Sequence, residues 1–163
     1  MQKSNKEIEK VERIEIYPLI GIGQVKLGDN RESVRKIMGG SFSTYKNTEN
    51  SVNYTDAYLN DSFQVFYDKD DRVEFIEVSY NPQLFSLHYK GIDLFETEAE
   101  ELIAELDKQS QYKRDEEEIP YGYLFPTLGM ILWRPVVPHD YSEDEEWDEY
   151  RKGMYFMVVG IRT

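Results

Sequence analysis

The fold is organised around residues 21–39, which read GIGQVKLGDNRESVRKIMG. Glycines open and end the segment, and between them Val34 and Met38 lie one helical turn apart on a single apolar face. Asp29 is predicted to cap the first turn, and Glu32, three residues later, is predicted to complete a capping box. The segment therefore predicts a turn followed by a short amphipathic helix that has to pack against the rest of the chain.

A second segment, residues 97–106, has the same arrangement. Thr97 stands at the capping position, Glu100 follows three residues later, and Leu102 and Leu106 form the apolar face. A shift of 68 residues aligns the two segments. Because caps and apolar periodicity recur in any surface helix, the match predicts either an internal repeat or simply two similar helices.

Length and composition predict one domain, residues 13–163, after a flexible N-terminal lead-in, residues 1–12. A chain of 163 residues is long enough to bury a core without disulfides or a metal. Aromatic residues make up 14%, with 13 Tyr and 8 Phe, and such residues favour half-buried strands over a helix bundle. The composition therefore predicts a protein rich in β-sheet.

Three stretches show the sheet most clearly. The alternating segments 62–67 and 72–80 flank Asp68-Lys-Asp-Asp71 and predict a β-hairpin, with the acidic turn more typical of Asp turn chemistry than of a calcium loop. Residues 121–133 are the most apolar run and predict a buried strand, and residues 153–161 predict the last strand.

These elements predict an α+β fold: an antiparallel sheet of six to eight strands with two short amphipathic helices, near residues 30–38 and 97–108. If the helical segments mark a pseudo-repeat, its two helix-then-strands units span residues 21–81 and 85–163.

The net charge of −13 is distributed unevenly along the chain. Up to Asn81 there are 11 basic and 14 acidic residues, and from Pro82 onward there are 8 and 18. A negative field repels the phosphate backbone of nucleic acids, and it attracts and steers a basic protein. The charge therefore argues against nucleic-acid binding and is compatible with a basic partner or with simple solubility.

Several kinds of chemistry find no support in the sequence. There is no Cys, which removes disulfides and thiolate sites and fits a cytoplasmic address. His88 and His139 have no metal-site or triad spacing, and Gly21-x-Gly23 lacks the rest of a phosphate-binding motif. No window approaches the roughly 20 apolar residues of a membrane span. We therefore predict no catalytic residues, no metal, no cofactor and no membrane contact.

The stretch that stands out for function is the acidic segment, residues 140–150. Its carboxylates repel one another unless they meet a cation, and its aromatic residues are of the type enriched in protein interfaces. The alternative is a disordered acidic insertion between two strands. The partner-binding candidates are the following acidic and aromatic residues: Asp140, Tyr141, Glu143, Asp144, Glu145, Glu146, Trp147, Asp148, Glu149 and Tyr150.

The glycine run at residues 21–28 with its helix, the hairpin at Asp68 and the stretch 125–133 together resemble small acidic cytoplasmic proteins of Gram-positive bacteria of the toxin-immunity type. The resemblance implies a non-enzymatic inhibitor that masks the surface of a toxin, often a basic nuclease, by charge and shape. No residue is carried over from that family. The alternatives are a carboxylate-dependent hydrolase and a structural or regulatory protein with an unknown ligand.

Overall fold

The structure, a computed structural model, describes residues 11–142, 144 and 146–163, and it confirms the α+β class. The described residues form three α-helices: α1 (Arg31–Met38), α2 (Ala99–Gln109) and α3 (Trp147–Met154). They also form a 3₁₀ helix, Pro138–Asp140. The strands are β1 (Glu12–Tyr17), β2 (Gly21–Ile22), β3 (Val25–Lys26), β4 (Ser43–Tyr45), β5 (Thr55–Tyr58), β6 (Phe63–Tyr67), β7 (Val73–Ser79), β8 (Phe85–Tyr89), β9 (Ile92–Asp93), β10 (Gly122–Phe125), β11 (Met130–Trp133) and β12 (Val158–Arg162).

The strands form two sheets. The larger has seven strands in the order β10-β11-β12-β7-β6-β5-β4, and every neighbouring pair is antiparallel. The smaller has the order β3-β2-β1-β8-β9, and its central pair, β1 and β8, is parallel. Residues 1–10 of the predicted lead-in lie outside the described residues, and Glu12 begins β1.

One hydrophobic core joins the two sheets and the helices. The larger sheet contributes alternate residues such as Val65 and Ile76, the smaller sheet contributes Leu87, and α2 contributes Leu102 and Leu106, all fully buried. Since successive side chains of a strand point to opposite faces, the other residues of the larger sheet face away from this core.

Helix α1 begins one residue later than predicted. The Asn30 side chain is the cap and accepts a hydrogen bond from the Ser33 N–H (2.8 Å). The Asp29 carboxylate instead accepts from the Lys26 N–H (2.9 Å) and closes the preceding turn. The predicted capping box was therefore wrong. Asp29 and Asn30 are both suitable caps, but Asp29 is already bonded within the preceding turn, so Asn30 caps the helix.

A buried ion cluster joins α1 to the larger sheet. Asp56 of β5 is fully buried and accepts hydrogen bonds from Arg31 Nη1 (3.0 Å) and from Arg35 Nε (2.9 Å) and Nη2 (2.9 Å). The Tyr67 hydroxyl donates to the same carboxylate (3.3 Å), and burial together with the Asp56 charge raises the pKa of Tyr67. The charge of Asp56 is thus compensated by neighbours from two other elements.

Helix α2 shows the same one-residue offset. The Thr97 hydroxyl donates to the Asp93 carbonyl (2.6 Å), and the helix begins after Glu98, whose side chain makes no capping bond. In each half of the chain a helix precedes antiparallel strands, and the last strands of the halves, β7 and β12, pair with each other. The internal repeat itself stays a prediction.

The hairpin at Asp68 is confirmed. Strands β6 and β7 pair in antiparallel fashion, and the Asp68 carboxylate accepts hydrogen bonds from the N–H groups of Asp70 (2.8 Å) and Arg72 (3.0 Å). The first carboxylate of the acidic turn therefore accepts hydrogen bonds from the backbone of the same turn, as the turn chemistry of Asp predicts.

Two predicted strands differ from the structure. Residues 121–133 form the hairpin of β10 and β11 rather than one strand, because the chain turns at Gly129 with a φ of +59°. The last strand begins at Val158 rather than at residue 153, because residues 147–154 form α3. The acidic segment is therefore partly helical, and apolar content alone did not distinguish these alternatives.

Candidate partner-binding surface

The acidic segment begins in the 3₁₀ helix and ends in the first turn of α3. Glu143 and Glu145 lie outside the described residues. Of the other candidates, all are exposed except Tyr141, which is half-buried. The structure therefore brings the described candidates together on one segment, with a helix under its second half.

Asp140 serves the fold. Its carboxylate accepts hydrogen bonds from the Val137 N–H (3.1 Å) and from the Tyr121 hydroxyl (2.9 Å). These two donors hold the pKa of Asp140 below its ordinary value. Asp140 thus anchors the start of the segment to the turn before β10, and its carboxylate is already bonded within the chain.

Three aromatic side chains of the segment stack in a ladder. The rings of Tyr141 and Tyr150 lie 4.6 Å apart, and those of Trp147 and Tyr150 lie 6.1 Å apart, with interplanar angles of 32° and 31°. The Tyr141 hydroxyl donates to the Tyr150 carbonyl and lies against Gly153, where it leaves no room for a Cβ atom. Burial raises the pKa of Tyr141. The outermost ring, Trp147, is 63% exposed.

Carboxylates surround the ladder. Asp144, Glu146, Asp148 and Glu149 are exposed, and Glu149 forms an ion pair with Lys152 (2.8 Å), which raises the pKa of the lysine. Asp148 and Glu149 lie in the first turn of α3, where negative charge is favourable at the positive end of the helix dipole. The helix dipole therefore offsets part of the repulsion between these carboxylates, which an irregular loop would not do.

Two arginines that the sequence analysis did not single out hold α3 in place. Arg151 donates to the Phe95 carbonyl (2.7 Å) and stacks on Tyr80, whose ring centre is 3.6 Å away. Arg134, 1% exposed, donates to the Gly153 carbonyl (2.7 Å). Both arginines flank apolar runs in the sequence, but their partners are distant in the chain, so no local pattern could reveal them.

His88 and its polar neighbours Ser86 and Asp93 do not have the geometry of a serine triad. His88 Nε2 lies 2.8 Å from Ser86 Oγ and 3.8 Å from Asp93 Oδ2, so both groups approach the same nitrogen. A nucleophile triad needs the serine and the carboxylate on opposite nitrogens of the ring. His88 Nδ1 is buried and has no hydrogen-bond partner among the described residues, and His139 is exposed.

One cleft of the described structure, of about 300 Å³, lies between β1, β2 and α1. It is lined by apolar residues such as Ile14, Ile37 and Phe63 and by the polar residues Glu12 and Gln24, without either histidine. Among the described residues, no three His, Cys, Asp or Glu side chains are grouped to hold a metal ion, and no helix is both long and apolar enough to cross a membrane.

Compared with models of protein families, with curated proteins and with solved structures, the chain matches none.

Proposed function

We propose that the protein is a non-enzymatic protein-binding module whose partner-binding surface is the acidic segment. The observation that carries this proposal is the aromatic ladder of Tyr141, Tyr150 and Trp147, which ends in an exposed indole among exposed carboxylates. Exposed Trp and Tyr rings are the residues that most often dominate the binding energy of an interface. Arginines hold the helix beneath them, so little ordering is needed on binding.

The partner is a basic protein, most specifically a toxin domain that the protein neutralises as an immunity protein in the cytoplasm. The net charge of −13 supports this choice, because opposite charge accelerates encounter. The resemblance to toxin-immunity proteins points to the same class of partner. The alternative of a carboxylate-dependent hydrolase has weaker support, because the cleft between β1, β2 and α1 contains one carboxylate, Glu12, and neither histidine.

The test measures binding kinetics with the basic protein that co-purifies with this chain. One variant neutralises Asp144, Glu146, Asp148 and Glu149 to the corresponding amides, and it should slow association about tenfold at low salt, with the difference shrinking as salt is added. Trp147→Ala should instead speed dissociation roughly 30-fold, which corresponds to the loss of an anchor worth about 2 kcal/mol.

A matched control neutralises four exposed carboxylates elsewhere: Glu101, Asp115, Glu117 and Glu118. It removes the same charge from the molecule and should leave the dissociation rate unchanged, with a smaller effect on association because these groups are not at the interface. Kinetics unchanged in both test variants, or equal effects of the two charge variants, would exclude the acidic segment as the binding surface.

A further inference from the structure

The seven-stranded sheet has a face opposite the core, where most side chains are half-buried and those of its β5 edge are buried. Strand register places one row of this face across six neighbouring strands: Leu124, Ile131, Gly160, Glu77, Gln64 and Ala57. Six strand spacings of about 4.8 Å make the sheet roughly 29 Å wide. We call this surface the open sheet face.

Side-chain contacts confirm which residues share the open sheet face. The rings of Phe66 and Phe75 are 5.3 Å apart, and the Phe75 ring covers Gly160, where an added Cβ would lie 2.5 Å from it. Trp133 and Val158 are paired in the neighbouring row, and Trp133 is 38% exposed. The open sheet face thus carries a cluster of aromatic and aliphatic side chains beside polar ones such as Gln64 and Ser79, and exposed apolar clusters with polar neighbours mark interaction sites.

One carboxylate stands in the middle of this surface. Glu77 is half-buried on β7, the fourth of the seven strands, and no lysine or arginine of the described chain forms an ion pair with it. Its burial raises its pKa. Arg162 lies in the adjacent row opposite Phe75 and is exposed. A half-buried carboxylate without a cation is costly for the free protein, and a cation placed over it removes that cost.

We infer that the open sheet face binds a protein that places an arginine or lysine, flanked by apolar side chains, over Glu77. This inference rests on the proposed function, because it assigns a second surface of contact to the same basic partner. Phe75 and the neighbouring ring of Phe66 lie on one side of Glu77 and can exclude water from a charged pair there, while Gln64 lies beside it on β6. Arginine suits the site because its planar group stacks on rings such as Phe66 and Phe75 while it binds a carboxylate.

A second copy of the chain is a poor occupant. A symmetric dimer centred on the middle of this face uses the same patch on both copies and brings Glu77 of one copy close to Glu77 of the other. The two carboxylates repel each other in a poorly solvated interface, and each chain adds a net charge of −13. The charge of the face therefore favours a cationic partner over self-association.

The chain contains two tryptophans, and they report separately on the two surfaces. Trp133 lies on the open sheet face, two strand spacings or about 10 Å from β7, whereas Trp147 belongs to the aromatic ladder. Protein labelled with 5-fluorotryptophan gives one ¹⁹F resonance for each, assigned with Trp133→Phe and Trp147→Phe. The probe is the peptide acetyl-Leu-Arg-Leu-amide, and its matched control replaces arginine by the uncharged isostere citrulline.

The arginine peptide should shift the Trp133 resonance in a saturable way, and the citrulline peptide should bind at least about tenfold more weakly. Glu77→Gln should weaken the arginine peptide by a similar factor at Trp133, whereas Glu101→Gln, an exposed carboxylate on α2, should not. A shift of Trp147 alone would overturn the inference and leave the proposed function standing. The inference would also be overturned if the peptide shifted the Trp133 resonance equally in Glu77→Gln and in the wild type. A Trp133 shift that depends on protein concentration in the absence of peptide would indicate self-association and would overturn it as well.

Discussion

Asp56 and Glu77 lie on opposite faces of the same seven-stranded sheet, and they differ in burial and in their ion-pair partners. Asp56, on the core face, is fully buried and bonded to Arg31, Arg35 and Tyr67. Glu77, on the open sheet face, is only half-buried and has no ion pair among the described residues. A deeply buried carboxylate has to be compensated by cations of the same chain, whereas a half-buried carboxylate is still partly hydrated and can stay charged without a cation.

The largest effect should follow from Asp56→Asn. The substitution removes a fully buried carboxylate, but Arg31 keeps its pair with Asp71 and Arg35 is 37% exposed. The loss should therefore lie at the low end of the about 3–5 kcal/mol that breaking a buried ion pair costs. Urea unfolding followed by circular dichroism measures the change. Asp71→Asn is the control, because the Asp71 side chain is 47% exposed and its pair with Arg31 should contribute less than about 1 kcal/mol. Equal losses in both variants would contradict the assigned role of Asp56.

A smaller loss should follow from Arg35→Gln. Arg31 and Tyr67 still bond to Asp56 in this variant, so the free energy of unfolding should fall by about 1–3 kcal/mol. Arg35→Lys keeps the charge but cannot reproduce the paired bonds to both carboxylate oxygens, and it should lie between wild type and Arg35→Gln. If Arg35→Gln lowers the free energy of unfolding as much as Asp56→Asn does in the same urea series, Arg31 and Tyr67 do not help to stabilise the Asp56 carboxylate.

The smallest effect, and one of opposite sign, should follow from Glu77→Gln. Because folding raises the pKa of Glu77, its ionisation opposes folding above that pKa, so the variant should be more stable at neutral pH by less than about 1 kcal/mol. As the pH falls below the pKa of folded Glu77 the difference should shrink, and it should disappear below the lower pKa of the unfolded state, where the side chain is neutral in both states. Melting temperatures across this pH range measure it, with the exposed Glu74→Gln as control. A loss of stability in Glu77→Gln at neutral pH would show that the carboxylate has a structural partner.

The sequence predicted the features that depend on neighbours in the chain. The alternation of Phe63, Val65 and Tyr67 identified a strand with one buried face, and all three are buried. The Asp68 turn was predicted correctly because its hydrogen bonds connect residues two and four positions apart. The acidic segment was visible for the same reason, since its charge density is a local property.

Other features depend on partners far apart in the chain. Arg151 and the Phe95 carbonyl are 56 positions apart, and Arg31 and Asp56 are 25 apart. Each arginine looks like an ordinary surface residue in the sequence, because its type does not indicate which carbonyl or carboxylate it meets. Helix α3 was missed for a related reason: the arginines that hold it bond to distant elements, whereas its own sequence is dominated by charge.

Local sequence patterns were sufficient to predict the α+β class, the hairpin and the position of the acidic segment, because apolar periodicity and turn chemistry act over a few residues. Three features became visible only in the folded structure: β1 lies parallel to β8, Asp56 is bonded to two arginines, and Glu77 has no arginine partner among the described residues. Alternation shows that a strand has two different faces, but which face is covered depends on how the two sheets and the helices pack. The placement of Glu77 on the uncovered face is therefore a property of the packing, and so is the surface that we assign to the partner.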